Sequence, residues 1–186
     1  MIRKNPSGQL PHISPKAFID PTAIICGHVI IEDNVFVGPY VVIRADEVNA
    51  EGTMEPIIIK QDSNLQDGVV IHSKDGAAVT VGARSSIAHR SIVHGPCTVG
   101  DDVFIGFNTV IFNTHIGNGC VIRHNSVVDG MDLPEQFHIP PMTNIGPHFD
   151  LNSIEKVPPQ YSEFSESVVS ANNALVEGYK KISNEF

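Results

Sequence analysis

The sequence has no tryptophan, three tyrosines and nine phenylalanines in 186 residues. With so few large rings, any sizeable core must be filled by aliphatic side chains. No apolar run is long enough to span a bilayer, so no membrane partner is expected. The start, MIRKNPSGQLP, has no hydrophobic segment of the signal-peptide type, and the expected location is the cytoplasm. Cysteines number three, Cys26, Cys97 and Cys120, with no metal-type spacing. They read as reduced thiols, and neither a disulfide framework nor a cysteine metal site follows from them. Basic residues are also scarce, 12 Lys and Arg against 21 Asp and Glu, for a net charge of −9. That balance argues against a nucleic-acid partner, which favours a basic stripe.

Against these absences stands a strong period of six. Counting from Ile13 gives Ile19, Ile25, Ile31, Val37 and Ile43. The count resumes at Ile59, Leu65 and Ile71, then at Val81, Ile87, Val93, Val99, Ile105 and Ile111. One residue is dropped before Ile116, Ile122 and Val128, and another before Leu133, Ile139 and Ile145. Two residues before many of these positions lies a small or β-branched side chain, such as Val35, Val69, Cys97 or Thr109. A period of six suits neither an amphipathic helix nor an alternating hairpin. It suits a solenoid in which six residues make one short strand and a corner, and three such units make a triangular coil. Each gap falls after a multiple of three hexads, so about seven coils result, over residues 1–150. Stacked about 4.8 Å apart, they share a core that no single coil could bury. The usual crossover rule would make the winding right-handed.

Past residue 150 the texture changes. IEKVPPQ reads as a linker. In the stretch ending at Phe186, Val168, Ala171, Leu175, Tyr179 and Ile182 are spaced three or four apart, as on a helix with one apolar face. Residues 151–186 are therefore expected to be a linker and a helix packed on a solenoid, its own or a neighbour's.

The repeat also places the polar residues. His72 directly follows Ile71 and His94 directly follows Val93, each the third aliphatic of its coil. They share one column on one face. His89 lies two residues after Ile87, with Asp67 in the same column a coil earlier, and so belongs to the next face. Histidines on two faces of one prism do not readily converge, but they do where two prisms meet around a threefold axis. Arg44 sits a coil below His72, with Asp46 and Glu47 at the corner, and could pair with Asp67 of a neighbour. Both long gaps in the repeat leave that same corner. Read from position alone, the trio is either a shared metal site or a set of polar surface residues, and Arg44, Asp46 and Asp67 are either a structural or a catalytic ion pair. His12, His28, His115, His124, His138 and His148 are expected at the surface.

The segments VIRADE, SNLQDGVVIH, SIAHRSIVHGP, VGDDVFIGFNTVIF and NNALVEGY closely resemble the γ-class carbonic anhydrases, over about Ile13 to Tyr179. The resemblance implies a left-handed parallel β-helix with a C-terminal α-helix, assembled as a homotrimer with one divalent metal shared between adjacent subunits. It implies His72, His89 and His94 as ligands, His89 coming from the neighbour, and Arg44, Asp46 and Asp67 as an interface ion-pair network. It implies Gln66 and Asn64 as residues that orient the reacting water, Glu47 as an active-site acid, and Asn172 as a holder of a carbon dioxide oxygen. Three neutral ligands leave the ion its full charge and an open position, as the reversible hydration of carbon dioxide to bicarbonate by hydroxide requires. Zinc is the first candidate, with iron(II) and cobalt also suited to three imidazoles. Two departures stand out. After His72 the chain has only SKDGAA, without the acidic loop and shuttle glutamate of the best-studied branch, and Ser170 stands where that branch has tyrosine. Glu51 and Glu55, in the insertion VNAEGTMEP, are candidate replacements as proton relays, beside Glu47. Two other readings stay open: a metal-binding structural or assembly subunit with little activity, and a hexapeptide-repeat acyltransferase.

Overall fold

The computed structural model describes residues 1–183. It is a left-handed β-solenoid of about seven turns with one long helix. Every hexad aliphatic pairs with the one a coil away. The first face aligns Ile13, Ile31, Ile59, Val81, Val99, Ile116 and Leu133. The second aligns Ile19, Val37, Leu65, Ile87, Ile105, Ile122 and Ile139. The third aligns Ile25, Ile43, Ile71, Val93, Ile111, Val128 and Ile145. From Ile25 onward each is at most 1% exposed. Ile13 and Ile19 are only partly buried, because the coil they belong to has no full coil beneath it. The small residues two places earlier, including Val35, Val69 and Thr109, are fully buried between these columns. Each buried isoleucine contributes roughly 1.5–3 kcal/mol of transfer free energy, so the stack is held by its interior.

The corners have distinct chemistry. At two of them the chain turns through one left-handed residue per coil, such as Asn34, Asp62, Arg84 and Asp102 at one and Gly68, Arg90, Asn108 and Asn125 at the other. Asn and Asp tolerate that conformation because their short side chains bond locally. Ladders between coils add support: Asn34 Nδ2 donates to Asp62 Oδ1 at 2.7 Å, and Arg84 grips Asp102 through two bonds of 2.6 and 2.7 Å. The third corner differs from coil to coil. Residues 46–56 and 74–78 loop out from it, whereas Ile92–Val99 and Val110–Ile116 run through it as continuous strands.

Three segments depart from the sequence expectations. Ile2–Arg3 pairs with Ile25 and Cys26 and extends the third face below its first hexad. The linker holds a short strand, Glu155–Lys156, antiparallel to Phe137–Ile139. The helix, Pro159–Ser183, starts earlier than expected and turns a different face inward. Asn172 and Val176 are its buried residues, and Tyr161 and Val168 pack on Ala88, Phe104 and Val121. Of the anticipated apolar stripe, Ala171, Leu175, Tyr179 and Ile182 are exposed, although the Tyr179 ring stacks on Phe18 at 4.6 Å. The helix runs back along the second face, and residues 184–186 of the expected helical stretch lie outside the described residues.

Candidate metal centre

Register places His72 beside His94 on the third face and Arg44 beside His72. The two imidazoles approach edge to face, with His72 Nδ1 and His94 Nε2 3.2 Å apart. His94 Nδ1 lies 3.0 Å from the Gly95 carbonyl. A proton on that nitrogen donates to the carbonyl and leaves Nε2 as an acceptor facing His72 Nδ1; a backbone partner of this kind fixes a ligating histidine. Arg44 Nη2 donates to His72 Nε2 at 3.1 Å. Asp46 lies 3.4 Å and Glu47 3.9 Å from the same nitrogen, and Arg44 Nε is 3.6 Å from Asp46. Burial first, then the charges of Arg44 and His94, hold the His72 pKa below the ordinary histidine value, and Asp46 and Glu47 only partly offset them. This favours the neutral imidazole, the form that can donate a lone pair to a cation.

His89 is elsewhere. It follows Ser86–Ile87 on the second face, 3.5 Å from Asp67, and nearly half of its side chain is exposed. Among the described residues of one chain, no three His, Cys, Asp or Glu side chains come together as a metal-binding group. The expected ligands thus fall into an adjacent pair and a separate third, as the column count anticipated. Beside His89, Gln66 Nε2 donates to Asn64 Oδ1 at 3.0 Å, and Asn64 Nδ2 donates to Ser86 Oγ at 2.8 Å. Asn64 is fully buried and Gln66 nearly so. This chain of amides uses one of the two Gln66 amide hydrogens and leaves its Oε1 as an acceptor.

Asn172 is 8% exposed, with Nδ2 donating to the Val168 carbonyl of its own helix at 2.9 Å. Glu51 and Glu55 are exposed and hold the corner loops by their backbones. Glu51 N–H donates to Asn49 Oδ1, and Glu55 N–H donates to the Gly76 carbonyl. Neither carboxylate bonds a histidine in the way Glu47 approaches one. The thiols stand apart from this chemistry: Cys26, Cys97 and Cys120 are all buried, and burial pushes Cys97 up to about 12.

Some of the surroundings went unanticipated. Gly95 packs so closely that a Cβ there would meet Ser73 Oγ at 2.5 Å and Val79 Cγ2 at 2.7 Å, which fixes the chain next to His94. Phe112 lies over His94 and Phe107 beside His89, with ring centroids 5.4 and 5.3 Å apart. The column rule applied to the histidines would have found both phenylalanines. Three histidines expected at the surface are partly buried. His28 Nδ1 lies 2.8 Å from the Met54 carbonyl, His124 stacks on Phe107, and His138 stacks on Tyr161. A groove of about 570 Å³ lies between the helix and the Arg84–Asp102 corner and includes none of the site residues.

Residues 11–45 match the bacterial transferase hexapeptide (six repeats) family, and residues 96–129 match the hexapeptide repeat of succinyl-transferase. The chain is 37% identical over 200 residues to a carbonic anhydrase of Methanosarcina thermophila, covering 96% of this chain and 78% of that protein. It is 34% identical over 177 residues to the carboxysome assembly protein CcmM of Nostoc sp., covering 90% of this chain but 31% of that longer protein. A hexapeptide transferase family protein from Anaplasma phagocytophilum shares the fold, with a TM-score of 0.80 at 21% identity over 96% of this chain and 98% of that one.

Proposed function

The chain belongs to the γ-class carbonic anhydrase family, and on that footing we propose that it catalyses the reversible hydration of carbon dioxide to bicarbonate at sites shared between subunits of a homotrimer. The observation that carries this reading is the split of the three histidines: His72 and His94 within 3.2 Å of each other on one edge, and His89 on another beside Asp67. Each edge is incomplete alone, and the two are complementary. The helix supports an interface there. At 100° per residue, Phe164, Ala171, Leu175 and Ile182 lie on the flank away from the 570 Å³ groove, hence toward His89. Phe164, Leu175 and Ile182 are 41%, 44% and 52% exposed in the single chain. A row of exposed apolar residues rising beside a half-site is what a partner subunit covers.

In this reading His72, His94 and the neighbour's His89 hold the divalent cation, zinc first among the candidates and iron(II) or cobalt also suited. When bound, such an ion lowers the pKa of a water toward ~7 and so supplies a nucleophile at neutral pH. The protein does the rest. Gln66 Oε1, left free by the Asn64–Ser86 chain, accepts a hydrogen bond from the reacting water and aims its remaining lone pair at carbon. Asn172 keeps one amide hydrogen for a carbon dioxide oxygen, because its other is given to Val168. Glu47, half exposed and 3.9 Å from His72, takes up the proton and passes it to buffer. Glu51 and Glu55 stand behind it on the outer loop. Arg44 and Asp46 pair within the chain, and Arg44 reaches the neighbour's Asp67 when the subunits close.

The likeness to CcmM over 90% of the chain favours one second reading, a metal-holding assembly subunit without hydratase activity. Stopped-flow carbon dioxide hydration on protein of measured metal content separates the two. We expect hydration above the buffer rate in proportion to bound metal, and a metal-replete trimer at the buffer rate would reverse the choice.

A further inference from the structure

One coil beyond the histidines, the same two columns carry phenylalanine. Phe107 follows Ile105 by two residues, as His89 follows Ile87; Phe112 follows Ile111 directly, as His94 follows Val93. Register pairs His94 with Phe112, their rings 5.4 Å apart. Phe107 lies 5.3 Å from His89 and is held on its other side by His124, stacked at 4.3 Å, whose Nδ1 accepts the Phe107 backbone N–H at 3.0 Å. In the single chain Phe107 is still 39% exposed, and Ile92, two residues before His94, is 38% exposed.

We infer, resting on the shared-site reading, that Phe107 of one subunit and Phe112 of the next meet one coil beyond the ligands, form the apolar wall of the site, and hold the rings of His89 and His94. His89 and His94 belong to the same coil, that of Val81, Ile87 and Val93. An ion held by His94 of one subunit and His89 of the next therefore keeps the coils of the two subunits level to within about one strand spacing, ~4.8 Å. At the level above, Phe112 then faces Phe107. One further up, Asp129, in register with Phe112, faces His124, an acid opposite a base. At the level below, His72 faces Asp67, and beneath that lies Arg44. The site thus has a charged side toward the early coils and an aromatic side toward the later ones. An apolar substrate and an anionic product call for two such sides. Phe107 and Phe112 are positioning residues that act through the histidines they touch.

Mixing separates this from a purely structural role. Cobalt(II) is loaded as the probe, its visible absorption reports the three-imidazole site, and its release to a chelator is timed in intact trimers. Phe107→Ala and Phe112→Ala each should release cobalt about tenfold faster than wild type, without loss of the trimer. Mixed subunits of the two variants form hybrid trimers in which one interface holds both phenylalanines. A fraction of cobalt should therefore leave at the wild-type rate, and no such fraction arises if each substitution loosens its whole chain. A Phe107→Ala/Phe112→Ala double variant that releases cobalt as the product of the two single effects would show that the rings do not meet. Should an alanine variant fail to assemble, Phe107→Leu and Phe112→Leu provide the same comparison. A mixture of His72→Ala and His89→Ala serves as the control. If that control regains cobalt sites while the phenylalanine mixture shows no wild-type phase, or if neither phenylalanine variant speeds release, the inference fails. If the control regains none, the shared-site reading itself fails, and this inference with it.

Discussion

Two edges of the same triangular coil face different fates. The edge after the third face carries His72 and His94 in contact, with Arg44, Asp46 and Glu47 within 4 Å of one ring nitrogen or of each other, and it is the edge from which both long loops leave. The edge after the second face carries one histidine, one aspartate and a buried chain of amides, has tight left-handed turns, and is flanked by the helix. The first brings two imidazoles together beside acids and an arginine; the second has a lone imidazole and buried amides. The difference teaches that neither edge gathers three ligands by itself, which is why we propose a pair of edges from two chains as the working unit.

Changes that remove a ligand from either edge should be equally severe. We expect His72→Ala and His89→Ala each to lower bound metal and hydration by at least about a hundredfold, checked by metal analysis and stopped flow. Strong loss in one and little in the other would break the equivalence of the edges. Next in size is Glu47→Gln. At low buffer it should slow hydration roughly a hundredfold, recover at high buffer, and differ from Glu51→Gln and Glu55→Gln, which touch no histidine. Third, core and edge should separate within one dipeptide. Ile71→Ala should cost about 2–5 kcal/mol in urea unfolding, whereas metal-free His72→Ala, one residue later, should stay within about 0.5 kcal/mol.

The smallest effect is the pH dependence of the metal-free chain. Burial holds His72, His124 and His138 below their ordinary pKa in the folded state. The unfolded chain takes up protons near pH 6.5, before the folded chain does. Stability from these groups is therefore complete above about pH 6.5 and is lost as pH falls toward their folded values. The urea midpoint should be level from pH 8 to 7 and lower at pH 5.5, and a rise on acidification would contradict the assignment.

The hexad count located the coils because every third-of-a-coil aliphatic faces the interior. It also separated His89 from His72 and His94, since a column is fixed once the register is. What it missed has physical reasons. Ile2–Arg3 is a two-residue strand ahead of the first hexad, too short to show a period. Of the helix stripe, Val168 and the Tyr179 ring pack within the chain, while Ala171, Leu175 and Ile182 are left uncovered by their own sheet and the face that packs there uses Asn172 and Val176. Apolar spacing marks a face that gains from burial but does not say which surface covers it. Phe107 and Phe112 were overlooked for a simpler cause: they carry no titratable group, although their columns mark them as neighbours of the ligands.

The central claim is that one metal is held by two chains. Purified His72→Ala and His89→Ala subunits, each metal-poor alone, are mixed, exchanged and reassembled, and bound metal is counted per trimer. The account predicts that each hybrid trimer regains one intact site, with hydration returning in step; no metal regained despite demonstrated subunit exchange would contradict it.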